Sequence, residues 1–413
     1  MPSHHATTML ALLLLLLQLV GGHGSAPTWR LQIDAAPPPT VFFNHSRDAC
    51  YQTDVIDETL NAFRLADGSI RMVAGNGGIG PCSFVGASLA TLKRDCQTGP
   101  VIHSRSNYSA PGDYPHNMWL PGTWTDDGIT VFGLVHDEFH AGVPRNHPRV
   151  PADLCKGGAP NACWFSAVVS VISTDGGKHF RRVTSPSRPN GIVAASPIPY
   201  RPDIGVQGSP AHRNIVEKGG WYYMMPASPL VPELEKGRGK TVWRTGNISD
   251  FGSWRGWNGS AFSVRSFDPY TEPALSAGAL LAATPMPVNT GLSGSLSYLP
   301  TVDAFVIVGT KLNQNKLGEV VYQSSKDLIT WSDPVSLFNV THHVGIRDGK
   351  GALYPTILDP QSKRQNFDHF EVPSQGVGSI YWLEFACEEP TGACWERDVV
   401  RRPLRLVVDG VAA

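Results

Sequence analysis

Charge is scarce in this chain. Asp, Glu, Lys and Arg make up 17% of its 413 residues, the net charge is −1, and no run of basic residues occurs. A chain without a basic stripe has no electrostatic hold on phosphate backbones, which excludes nucleic acid as a partner. Cys-x-x-Cys pairs are missing as well, which removes the usual structural zinc spacing. Long apolar runs are nearly absent. The exception, Met9 to Val20, includes Leu12 to Leu17 and is too short to span a bilayer. Gly21, Gly22, Gly24, Ser25 and Ala26 follow it. It reads as a secretory leader over 1–26, although no Lys or Arg precedes it; a signal anchor is the alternative. The expectation is a secreted, extracellular, monomeric chain with no membrane partner and a single domain over 27–413.

Glycine (42) and proline (34) are plentiful, a composition that suits many short strands joined by turns. Five Asn-x-Ser/Thr triplets, at Asn44, Asn107, Asn247, Asn258 and Asn339, agree with passage through the secretory route. Seven cysteines in an oxidising compartment imply disulfides. Cys155 with Cys163 and Cys387 with Cys394 would each close a short loop. Cys50, Cys82 and Cys96 leave one thiol over, and the sequence does not say which.

The stretch "STDGGKHF", ending the apolar run "VVSVI", has counterparts in "NISDFGSW" and "SSKDLITW". Their aspartates, Asp175, Asp250 and Asp327, are 75 and 77 residues apart. A repeat of that length is one supersecondary unit, and about five fit the mature chain. Hairpin signals recur in each unit, as in "NMWLPGTW", turn "TDDG", "ITVFGLVH". Ser and Asp bond turn backbone, Gly permits positive φ, and the aromatic fills the sheet, so the motif is read as architectural. A calcium or sugar contact at Asp175 is the lesser reading. The expected fold is all-β: a five-bladed propeller with four-stranded antiparallel blades near 40–105, 106–190, 191–285, 286–342 and 343–409. Thr40 to Phe43 is expected to complete the last blade. A jelly roll or sandwich would not explain the spacing.

With these residues, the chain resembles the five-bladed propeller glycosidases, the superfamily of arabinanases, β-xylosidases, invertases and neoagarobiose hydrolases. "SSKDLITW" is close to the Ser-x-Asp-Leu-x-x-Trp element found there. "STDGGKHF" looks like the Asp-box of six-bladed sialidases. The wider pattern, including "ISDFGSWRGW", is also similar to uncharacterised secreted propeller proteins.

First strands of a propeller line its axis, and their starting ends share a face with the loops between second and third strands. The residues there are Asp54, Asp57 and Glu58; Asp113 and His116; His136, Asp137, Glu138 and His140; His212 and Arg213; and Arg347, Asp348 and Tyr354. Glycoside hydrolysis needs one group to protonate the leaving oxygen and another to activate water or attack carbon. The resemblance implies a base Asp in blade one, a second Asp in blade two and an acid Glu in blade three. Asp57 matches the first and Asp113, loosely, the second. The third is missing from "AHRNIV", so His212 or Glu138 is the candidate acid. Glu58, His116, His136, Asp137, His140 and Arg213 are candidate substrate contacts. The plainer readings are that Asp57 and Glu58 cap a turn and that Arg213 pairs with Asp57. A His-x-x-x-His zinc site needs a helix, and "ITVFGLV" reads as strand. No cofactor is required, and a structural calcium is left open. The expected function is glycoside hydrolysis of an oligo- or polysaccharide. A non-catalytic carbohydrate- or protein-binding propeller comes second. A sialidase-like hydrolase comes third, for the Arg-Ile-Pro signature is absent.

Overall fold

A computed structural model describes residues 29–34, 37–104, 112, 116–140, 164–184, 190–195, 200, 207–208, 214–228, 239–266, 268–269, 294–312, 317–343, 352–373, 376–385 and 396–410. Among them the chain is nearly all β, with one short α-helix, His45–Asp48, and two 3-10 turns, Phe251–Ser253 and Pro300–Val302. Five sheets of four or more strands follow in chain order. Sheet I holds Asn61–Arg64, Ile70–Ala74, Cys82–Gly86 and Lys93–Arg94. Sheet II holds Asn117–Trp124, Val131–His140, Trp164–Ser173 and Arg181–Arg182. Sheet III holds Val216–Lys218, Trp221–Met224, Trp243–Thr245, Arg255–Trp257 and Phe262–Val264. Sheet IV holds Leu296–Leu299, Ala304–Leu312, Leu317–Ser325 and Val335–His343. Sheet V combines Leu353–Leu358, Val377–Phe385 and Arg397–Val408 with Trp29–Ile33 and Thr40–Phe43 from the other end of the chain.

Central strands are apolar on both faces because each sheet is covered on both sides. In Trp164–Ser173, Ala167, Val169 and Val171 enter the core shared with sheet I, and Val168 enters the core shared with sheet III. In Ala304–Leu312, Ala304, Val306 and Val308 face sheet V, and Phe305 and Ile307 face sheet III. This is the two-residue period of a strand. Five such cores join I to II, II to III, III to IV, IV to V and V to I.

Hydrogen bonds also tie the sheets in a cycle, through first strands, the residues leading into them and, in sheet I, the turn after its second strand. Met118 N–H donates to Gly77 O, and Asn214 N–H to Pro121 O. Leu296 N–H donates to Asn214 Oδ1, Ser295 N–H to Pro355 O, and Leu60 N–H to Thr356 Oγ1. The far ends of these strands meet the segment between Leu353–Leu358 and Val377–Phe385. Gln365 O accepts from Arg64 N–H, and Asn366 makes two bonds with the backbone of Thr125. Asp368 Oδ2 accepts from Glu217 N–H, and Phe370 N–H donates to Tyr298 O. This segment therefore touches all four other sheets.

The repeated motif turns the third strand into the fourth, as expected. Asp327 Oδ1 accepts from the N–H groups of Ile329 and Thr330, both at 2.8 Å, and from Ser325 Oγ at 3.0 Å. Asp175 receives Lys178 and His179 N–H in the same way. Phe180 and Trp254 enter inter-sheet cores, and Trp331 packs against a third.

Two expectations change. Ile192–Ala194 and Gln207–Gly208, assigned to the third unit, pair with Trp164–Ser173 of sheet II. Trp29–Ile33, unassigned in the sequence, pairs with Arg397–Val408 beside Thr40–Phe43. The triplet of cysteines resolves as a Cys50–Cys96 disulfide with Cys82 as the free, buried thiol. Burial pushes that thiol up to about 11, which leaves it unreactive near neutrality. Cys155, Cys163, Cys387 and Cys394 lie outside the described residues.

Asp327→Ala is expected to lower stability by about 1–2 kcal/mol in denaturant unfolding through its lost turn bonds. A loss below measurement would remove its architectural role. Asp368 gives a second test. Burial pushes its carboxyl up to about 6, against the pull of His369, the Glu217 N–H and Arg364. A folded-state value above the unfolded one means that stability is fully present at acid pH and is lost as pH rises through 6. Asp368→Asn removes that loss. Its stability relative to wild type is expected to rise by on the order of 2 kcal/mol between pH 4 and pH 7.5. A difference independent of pH would contradict the account.

Candidate functional site

Asp57 and Glu58 sit just before the first strand of sheet I, where the chain passes Gly75. Asp57 N–H donates to Gly75 O at 2.8 Å, and Gly75 N–H donates to Glu58 Oε1 at 3.0 Å. Position 75 needs glycine, because a Cβ there would fall 2.3 Å from Pro81 Cα. Glu58 is fully buried and serves this turn. Asp57 turns the other way, toward sheet V. Its Oδ1 accepts from Tyr354 OH at 2.9 Å and pairs with Arg397 Nη1. Arg397 also donates to Ile56 O and packs over the Phe385 ring. Both donors go to Oδ1, and Oδ2 makes no hydrogen bond to a described residue. The Asp57 side chain is 24% exposed.

Two residues beyond Gly75, Gly77 receives the ring of Trp119 from sheet II. A Cβ on Gly77 would lie 2.4 Å from that ring. Trp119 stacks on His136, its partner across the strands, with centroids 5.3 Å apart. His136 Nε2 lies 3.2 Å from Glu138 Oε1. Residues 75 and 77 are at most about 7 Å apart along the chain. That short turn brings the Asp57 region and the Trp119–His136–Glu138 group together.

Asp137 leaves that face, as strand alternation requires. Its Oδ2 accepts the His116 N–H at 3.0 Å and its Oδ1 the His116 Nδ1–H at 2.9 Å. Both side chains are buried. Asp137 therefore fixes His116, and it is not the like-charged neighbour that Glu138 would need to be held as an acid. Val131–His140 is a strand, as the exclusion of a helical zinc pair requires.

The arginine on Asp57 is Arg397, 340 residues away in sequence; Arg213, offered by the sequence as a substrate contact or more plainly as a partner for Asp57, is not among the described residues. Nothing in the run "CWERDVV" marks Arg397, since its role depends on which strand lies beside sheet I. Asp113, His212 and Arg213 lie outside the described residues, as do Arg347, Asp348 and the side chain of His140. Asp54 joins Arg94 in a buried ion pair, a structural placement.

No protein-family model matches the sequence, and no curated protein matches it. Solved structures do resemble its fold. Zg3597, a family 117 glycoside hydrolase produced by the marine bacterium Zobellia galactanivorans, aligns over 94% of this chain and 94% of its own, with a TM-score of 0.50 and 10% identity. A GH43_1 enzyme from Xanthomonas citri covers 91% of this chain and 92% of its own at a TM-score of 0.48 and 10% identity. The GH32 β-fructofuranosidase BmSUC1 of Bombyx mori covers 90% of this chain and 63% of its own at 0.46 and 10%. The fold expected from the propeller resemblance is thus met by the fold of Zg3597. At these identities the likeness concerns the fold alone.

The His116–Asp137 pair is open to test. Asp137→Ala leaves two buried donors without an acceptor and is expected to cost about 2–4 kcal/mol in denaturant unfolding. A cost under half a unit would show that the pair contributes nothing to the site's framework.

Proposed function

We propose that the five sheets are the blades of a five-bladed β-propeller, and that the chain is a secreted glycoside hydrolase acting on an oligo- or polysaccharide at one end of the ring. The observation that carries this reading is the placement of Asp57 and Glu138. They come from consecutive sheets and sit on either side of the Gly75–Gly77 turn, in different surroundings. Two carboxyl groups in unlike settings are what acid/base cleavage of a glycosidic bond needs.

In this reading Asp57, whose Oδ2 makes no hydrogen bond to a described residue, is the base or nucleophile. Glu138, held beside His136, is the acid, and His212 is the alternative acid. Trp119 and His136 offer an aromatic surface for a sugar ring. Asp113 is the candidate second catalytic Asp, and His140 and Arg213 are further candidate contacts with the carbohydrate. Residues 1–26 are the leader that exports the chain. The glycoside hydrolase fold neighbours support the class of reaction and leave the sugar unnamed.

The test is hydrolysis of a panel of oligosaccharides and 4-nitrophenyl glycosides. Wild type is expected to cleave at least one member. Asp57→Asn is expected to lose about three or more orders of magnitude in kcat while still binding. Glu138→Gln is expected to lose more on poor leaving groups than on activated ones, because only the former need a proton. A wild type that binds a glycan and cleaves nothing would make the chain a binding module.

A further inference from the structure

Asp57 is held from a sheet to which it does not belong. Tyr354 and Arg397 both lie in sheet V, and both reach the same oxygen, Oδ1. Tyr354 does so from φ 51, in the left-handed region that bulky residues seldom occupy. The register of Leu353–Leu358 against Val377–Phe385 shifts between Leu353 and Thr356, so the unusual backbone sits at the start of the strand. Unfavourable backbone of this kind persists only where its surroundings impose it, and it clusters at functional sites. Arg397 is the first residue of Arg397–Val408, is nearly buried, and is fixed by Phe385 and Ile56 O. Its neighbour Asp398 faces the other way, accepting from Asn44 Nδ2 at 3.0 Å and from His45 N–H at 2.7 Å. One strand end therefore grips both the N-terminal segment and Asp57.

We propose that Tyr354 and Arg397 are positioning residues for Asp57: they engage Oδ1 so that Oδ2 is presented to the reacting centre. This rests on the glycosidase reading above. A carboxylate with both donors on one oxygen has lost its freedom to rotate about Cβ–Cγ. The oxygen left over is then set at one angle, and misplacing a reacting group by an ångström is enough to slow a reaction greatly. The residues act through Asp57 and need not touch the sugar.

The experiment uses the full mature chain and the 4-nitrophenyl glycoside that wild type cleaves best. Tyr354→Phe deletes one hydroxyl and keeps the ring. It is expected to lower kcat about tenfold, with KM within about twofold and an unchanged melting temperature. Arg397→Met is expected to lower kcat about a hundredfold, and Arg397→Lys to recover part of that loss, since it restores one charged donor. If Arg397→Met fails to fold, Tyr354→Phe and Arg397→Lys carry the test. An active wild type whose Tyr354→Phe and Arg397→Lys forms keep full kcat would overturn the positioning role and leave the glycosidase reading standing. So would losses that appear in KM or melting temperature alone. A wild type that cleaves no glycoside would overturn both.

Discussion

Arg397–Val408 pairs along one edge with both N-terminal strands, Thr40–Phe43 beside its first half and Trp29–Ile33 beside its second. Sheet V is thereby made from the two ends of the chain, and it packs on sheet I on one face and on sheet IV on the other. Every sheet here is apolar on both sides, so none is satisfied until both neighbours are in place. Without this pairing, sheet V would lose two strands and its contact with sheet I would be weakened. The burial gained across five inter-sheet cores depends on one non-local contact between chain ends, whose formation costs loop-closure entropy.

The same contact reaches the site. Arg397 begins the closing strand and pairs with Asp57, and Tyr354 is the second residue of the first strand of the same sheet. Glu138 and His136 come instead from the second strand of sheet II, where packing on sheet I holds them near Gly77. The chemistry proposed for this end of the ring is thus set by three sheets. The other end is crossed by the segment around Asn366, Asp368 and Phe370, which binds all four remaining sheets. The two ends differ in what they hold: one is crossed by the segment that joins the sheets, and the other carries the Asp57–Arg397 pair and the His136–Glu138 group.

Much of the architecture was legible because its signals are local. The Ser-x-Asp turns at Asp175, Asp250 and Asp327 need only a few neighbouring residues, so their spacing reports the unit directly. The position of Asp57, just ahead of the first strand of sheet I, was legible for a similar reason, as an acid before an apolar run. Arg397 was not, because its partner is chosen by ring closure and no nearby residue encodes it. Ile192–Ala194 and Gln207–Gly208 were assigned to the wrong sheet because a strand's partner depends on neighbours that its own pattern does not specify. Cysteine spacing left Cys50, Cys82 and Cys96 equivalent. Only the approach of two chain segments singles out Cys50 and Cys96.

The central claim is that the end of the ring carrying Asp57 and Glu138 takes a sugar. The most direct measurement is a crystal structure of the Asp57→Asn chain soaked in turn with arabino-, xylo-, fructo- and agaro-oligosaccharides. The account expects a sugar ring seated against Trp119, between Asn at position 57 and Glu138, with a glycosidic oxygen within hydrogen-bond reach of Glu138 or His212. Sugar bound only elsewhere on the molecule, or an empty site at saturating concentrations of all four, would contradict it.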